Sequence, residues 1–256
     1  MRKAELTVVK TEELIPADLA AMIAEDSGKG ISTAAEDNII PLIRMLQNGS
    51  PQVAPRDPSY VDGAVSGDFW FKNSAKQELV KGEEGFRFQP CYFSKCWIEW
   101  RPDRGGFAGR HLKRPQDAEE KQIINEGKEI TAWVRPNGNT VIETREHAGF
   151  ADGQPYVMTF TSTGHTESKQ WMQLMNQIYV PGTERVAPCF SKRYHITSYE
   201  RSNKLGRWFA CRIKLEPGWV PKDEYMRGKA LHEAFDQGYK HSASPDLDEA
   251  SDDVPF

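Results

Sequence analysis

The stretch from Phe86 to Arg101 constrains the fold of this chain more than any other feature, because its side chains change character at almost every step. Residues two apart share one face of a β-strand. Even positions give Phe86, Phe88, Tyr92, Ile98 and Trp100, an apolar face. Odd positions include Arg87, Phe93, Lys95, Trp97 and Arg101, a face of cations and flat rings. Pro90 marks an edge position or a bulge within this strand. A strand of this kind needs partners, and the chain supplies candidates in Asp68-Phe69-Trp70-Phe71, Glu129 to Arg135, Thr140 to Glu146, Tyr156 to Ser162, Cys189 to Tyr199 and Arg207 to Leu215. Pro136-Asn137-Gly138-Asn139 reads as a hairpin turn.

Helical spacing predicts Glu167 to Tyr179, with Trp171, Leu174, Met175 and Ile178 on one stripe, and Asp223 to Tyr239. Leu14 to Ala24, Ala34 to Gln47 (Ile39, Ile40, Leu42, Ile43 and Leu46) and part of the polar stretch Gln116 to Glu129 also read as helical. Strands, then a helix, then a two-stranded hairpin predict a mainly β chain with α+β content at its edges. The expected architecture is an OB-type five-stranded barrel with extra helices and loops. Other small barrels and α+β sheets share this order. The expected divisions are a peripheral region 1–60, an OB-like nucleic-acid-binding domain 61–240, and an acidic tail 241–256 that its composition predicts to be disordered.

The last hairpin splits as the long strand does. Phe190, Tyr194 and Ile196 oppose Arg193, His195, Tyr199 and Arg201, while Phe209, Cys211, Ile213 and Leu215 oppose Trp208, Arg212 and Lys214. Cations follow phosphates and rings stack on unpaired bases, so this pairing of residue types points to single-stranded nucleic acid. The stacking candidates are Phe93, Trp97, Tyr199 and Trp208. The phosphate candidates are Arg87, Lys95, Arg101, Arg193, Arg201, Arg212 and Lys214. Any half-exposed sheet also alternates polar with apolar residues, so the pattern alone does not decide the function.

A formal charge of -4 looks wrong for a nucleic-acid binder until its distribution is read. Of the 37 acids, five (Asp246, Asp248, Glu249, Asp252 and Asp253) lie after Lys240 with no Lys or Arg among them. That leaves 32 acids against all 33 basic residues in the body. Residues 86–114 and 185–214 are locally basic.

The chain ends Asp252-Asp253-Val254-Pro255-Phe256. This peptide resembles the C-terminal tip of bacterial and phage single-stranded DNA-binding proteins, in which an acidic tail ends in Asp-Asp-hydrophobic-Pro-Phe. Val254 stands where Ile or Leu is common. The resemblance covers this tip and its acidic lead-in and does not extend to the body. It implies a phage-type protein that coats single-stranded DNA during replication, recombination or repair and recruits partner enzymes through Asp252, Asp253, Val254, Pro255 and Phe256. The chemistry is independent of the resemblance. The Phe256 ring can fill a pocket while its α-carboxylate meets Arg or Lys, and Pro255 lowers the ordering cost.

Catalytic signatures are lacking. There is no phosphate-binding glycine loop and no serine-hydrolase or zincin pattern. Cys91 and Cys96 lack the paired spacing of a zinc site and read as buried thiols. A non-enzyme without metal or cofactor is expected. No apolar run approaches the ~20 residues of a membrane helix and no signal peptide is read at the N-terminus, so the cytoplasm of a bacterium or of a phage-infected cell is the expected compartment, with no membrane partner. Monomer and homo-oligomer both fit. Two alternatives stand: a phage interaction protein that mimics the tail to capture host repair enzymes without binding DNA, and a Mg-dependent nuclease using acids such as Asp62, Asp68 and Glu99.

Overall fold

The computed structural model describes Leu19, Met22 and residues 40–72, 77–102, 105–125, 128–203 and 206–236. In chain order the strands are β1 (Leu42–Met45), β2 (Phe69–Lys72), β3 (Gln77–Val80), β4 (Phe86–Trp100), β5 (Phe107–His111), β6 (Glu119–Asn125), β7 (Lys128–Val134), β8 (Thr140–Ala151) and β9 (Gln154–Thr161). Helix α1 (His165–Asn176) separates them from β10 (Tyr194–Asn203) and β11 (Gly206–Leu215), and α2 (Lys222–Asp236) follows. The protein is mainly β.

All eleven described strands belong to one sheet, with the path β11-β10-β4-β8-β9-β1-β2-β3; β5 pairs with β4, and β6 pairs with β7, which joins β8. The sheet curls into a half-barrel. A five-stranded OB-type barrel was expected from sequence, and the sheet that forms has eleven described strands. β4 pairs antiparallel with β8 along most of its length and with β10 at its start. β8 turns into β9 at Asp152-Gly153, both at positive φ (47° and 76°), as a two-residue hairpin turn of primed type requires. Hydrogen bonds tie the ends of the curl together, among them one from Asn48 Nδ2 to the Arg207 carbonyl at 3.1 Å. The Ser198 amide donates to the Gly82 carbonyl at 2.8 Å. The Gln47 side chain clasps Phe209, donating from Nε2 to its carbonyl at 3.1 Å and accepting from its amide at 2.9 Å.

Three expectations are corrected by the pairing. Residues 42–45, predicted within a helix, form β1 between β2 and β9. The run Ile39 to Ile43 is apolar throughout and fits either period, and a short run flanked by Pro41 is placed by the sheet around it. Residues 119–125, predicted partly helical, form β6 against β7. The hairpin expected between 129–135 and 140–146 exists only beside its turn, at Trp133 opposite Val141 and Val134 opposite Thr140, because β7 leaves to pair with β6. Of the expected helix at 14–24, only Leu19 and Met22 are described, and both are exposed. The tail 241–256 lies outside the described residues.

The inside of the curl holds the main core: Phe69, Phe71, Phe86, Phe88, Met158, Phe160, Tyr194 and Ile196, sealed by Trp171 and Met175 of α1. Trp171 is 1% exposed. Its ring meets Phe88 at 5.8 Å, Tyr194 at 5.5 Å and Phe160 at 6.2 Å, and stacks on His147 at 4.4 Å. α2 covers the other side of β4 and β8, with Phe235 stacked on Tyr92 at 5.1 Å. All four cysteines are free thiols, and Cys91, Cys96 and Cys211 are buried.

His147 makes the fold sensitive to acid. Its ring is fully buried, with Nε2 at 2.9 Å from Ser168 Oγ. Burial, helped by the nearby Arg145 charge, pulls its pKa from 6.5 down to about 3. The folded state therefore holds His147 neutral while the unfolded chain takes up a proton below pH 6.5. Stability is complete above that pH and falls as pH drops toward 3, by ~1.4 kcal/mol per unit. Denaturant melts at pH 7 and pH 5 should differ by about 2 kcal/mol, with His147→Gln removing most of the difference. An unchanged slope in that variant would assign it to other groups.

Candidate nucleic-acid interface

A bulge in β4 decides where the predicted cations and rings go. Pro90 lies opposite Gly149 and Tyr92 lies opposite Ala148, so Cys91 is one residue too many for its partner strand. Facing parity reverses at this point. Phe86 and Phe88 enter the core, but Tyr92 turns away to α2, and Phe93 returns to the core side against His147 at 5.0 Å. The extra residue is well held: the Cys91 carbonyl faces His232 Nδ1 at 2.9 Å and accepts from the Cys189 thiol at 3.2 Å. The single face expected through Arg87, Phe93, Lys95 and Trp97 is therefore two faces. The even face also divides: Cys96, Ile98 and Trp100 form a small core of their own with Phe107 and Ile142.

On the inner side, beyond the main core, lie Phe93, Lys95 and Trp97. Trp97 meets Trp133 of β7 edge to face at 6.4 Å. The Arg114 guanidinium lies 3.6 Å from the Trp133 ring centre and 5.9 Å from that of Trp97. Lys95 Nζ sits 5.8 Å from the Trp97 ring centre and pairs with Glu143 at 2.8 Å. Arg145 lies 5.7 Å over Phe93. Beside the two tryptophans opens a cavity of about 310 Å³, walled by Trp97, Trp133, Thr140, Ile142, Glu143, Ser162 and His165 among others. Trp133 and Arg114 were missed from sequence. Trp133 carried a usable signal, since it shares strand parity with Thr131 and Arg135, the same mixture of ring and polar group that singled out Trp97.

The β10–β11 hairpin gathers the remaining candidates on the outer side. Register sets His195 opposite Lys214, Thr197 opposite Arg212 and Arg201 opposite Trp208. Arg212 stacks 4.9 Å from the Tyr199 ring centre and Arg201 5.5 Å from that of Trp208. Several of these cations also have acidic partners. Arg201 bonds the buried Glu167 of α1 at 3.0 Å, Arg87 bonds Glu216 at 2.8 Å, and Arg193 lies 3.6 Å from Glu224. Lys214 is exposed. The Arg87 and Arg193 pairs lie near the surface and contribute little stability, so a phosphate can displace the acid there at small cost, whereas the buried Glu167 holds Arg201.

Arg101 stands apart from both groups. Its guanidinium donates to the carbonyls of Phe107 (2.8 Å) and Gly105 (3.4 Å), clasping the turn into β5. Glu99 is a structural knot: its carboxylate faces His111 Nε2 at 2.7 Å and accepts from Asn139 at 2.6 Å and Arg135 at 2.9 Å. Burial alone would raise its pKa, but the bonds from Asn139, His111, Arg135 and Asn137 outweigh it and hold the acid down to about 2. Asp68 is engaged with Lys81 and with the amides of Gly82 and Val65. Among the described residues, no group of three or more His, Cys, Asp or Glu is placed to hold a metal ion.

A family model described as Pam3 phage gp34-like protein matches residues 9–241. The chain belongs to the Pam3 phage gp34-like family. The family is named for a phage protein, and the match covers every strand and both helices described above. No curated protein and no solved structure matches the chain. Among the described residues of this gp34-like chain, no helix is long and apolar enough to cross a membrane.

Proposed function

We propose that this phage protein coats single-stranded DNA during replication, recombination or repair, without catalysis or a cofactor, and recruits partner enzymes through Asp252 to Phe256. The observation that carries this reading is the groove where Trp97 and Trp133 meet at 6.4 Å under the Arg114 guanidinium, with Lys95 alongside. Rings that stack on bases beside cations that follow phosphates are what a single strand requires. Strand order supports it. The pairing of β4 with β8 and β10, of β8 with β9 and of β10 with β11, with α1 before β10, is compatible with an OB-type order carrying β1–β3 and β5–β7 as additions. The acidic tip supports recruitment, in the cytoplasm of the infected cell.

The second reading, a tail mimic that binds no DNA, is favoured by one observation: Lys95, Arg87, Arg193 and Arg201 already have acidic partners within the chain. A gel shift of a single-stranded oligonucleotide against salt separates the two. With roughly four phosphates neutralised, log affinity should fall against log salt with a slope of about -3. Deleting Asp252 to Phe256 should leave that binding intact or tighter while abolishing partner capture. Absence of any shift with the full chain favours the mimic, and loss of DNA binding on the deletion would sink the assignment of the tail.

A further inference from the structure

We infer that the cavity beside Trp97 and Trp133 receives one base of the bound strand and selects bases carrying an exocyclic amino group, cytosine, adenine and guanine, over thymine, with the Glu143 carboxylate as acceptor. The inference rests on the proposed single-strand binding and adds base preference to it. At about 310 Å³ the cavity reaches the lower end of ligand-site volumes, enough for a single base between apolar walls.

Its polar lining is rich in acceptors. Glu143 is half-buried. Lys95 occupies one lone pair on Oε2 at 2.8 Å, and Arg145 reaches Oε1 only at 3.4 Å, so the carboxylate keeps acceptor capacity. Burial opposes its ionisation, but the Lys95 bond and the Lys95 and Arg145 charges hold its pKa below the usual carboxylate value and keep it ionised. His165 donates from Nε2 to the Glu143 backbone carbonyl at 2.9 Å, and a neutral ring that donates there has a lone pair on Nδ1. Burial lowers the pKa of His165, which favours that neutral form. Ser162 completes the wall from a left-handed backbone, φ 39°, a conformation an L residue holds only when its surroundings require it. An amino group at cytosine N4 or adenine N6 donates to such a lining. Thymine has no amino group, and its single N3–H donor is flanked by the O2 and O4 acceptors, which a carboxylate repels.

The test is competition against a labelled single strand by homopolymers of dC, dA, dT and dU, read by fluorescence anisotropy. dC and dA should bind roughly 5- to 100-fold more tightly than dT. dU should match dT, since the two differ only by the methyl group. Glu143→Gln, which both accepts and donates, should bring the dC-to-dT ratio to within about twofold, in part by tightening dT, whose O4 then meets an amide donor instead of a carboxylate. Equal binding of dC and dT by the wild-type chain, dU behaving like dC, or an undiminished ratio in Glu143→Gln overturns the inference and leaves single-strand binding standing. Failure of every homopolymer to bind overturns the proposed function as well.

Discussion

Replacing Trp171 with alanine should lower the unfolding free energy by about 3–5 kcal/mol, the range for removing a large aromatic ring from a packed core. Trp171 is where helix and sheet meet. Its ring touches Phe88 of β4, His147 of β8, Phe160 of β9 and Tyr194 of β10, so one side chain ties four strands to α1. Each edge-to-face or stacked contact adds to burial. A cavity lined by rings on rigid strands collapses poorly, which favours the upper part of the range. Against a typical total of about 5–15 kcal/mol this is a large fraction, and a thermal midpoint lower by roughly 10–15 °C is expected. Denaturant melts check it directly. A loss below about 1 kcal/mol would mean that α1 is not the lid of the core.

Replacing Trp97 and Trp133 together with alanine should cut affinity for single-stranded oligonucleotide by roughly 30-fold or more, since each stacked base is worth ~1–3 kcal/mol. Folding should survive, because both rings are half-exposed and lie outside the main core. The matching change on the hairpin, Trp208→Ala, tests the other face. A large loss there with none from the first pair would move the strand path to the outer side of β10 and β11. Unchanged affinity in both folded variants would remove stacking from the proposal.

Much of this architecture was legible beforehand. β4, β8 to β11, α1 and α2 carry strong periods, and the stripe Trp171, Leu174, Met175 and Ile178 packs as its spacing implied. β1, β3 and β5 were not legible because four or five residues are too few to establish a period and they lack the unbroken aromatic run that marked the equally short β2. β6 was missed because Glu119, Glu120, Lys121 and Gln122 are exposed on an edge strand, with no buried face to create alternation. The candidate site was legible as residue types but not as a surface. Parity counted through Pro90 places Arg87 beside Phe93, whereas the extra residue at Cys91 sends them to opposite sides. Trp133 and Arg114 reach Trp97 only through strand pairing, which local pattern does not report.

The clasp of Gln47 on Phe209 has a consequence for motion. Most neighbouring strands in this curl are joined by backbone ladders, but its two ends meet largely through the side-chain amides of Gln47 and Asn48 and the bond from Ser198 to Gly82. A seam of that kind has the least cooperative support in the structure, so the cheapest breathing of the half-barrel is a parting along this line. Such a parting would loosen the hairpin tip at Arg201 and Trp208 while leaving β4, β8 and the tryptophan groove in register. One outer surface can then adapt its shape to whatever lies on it, while the inner one stays rigid.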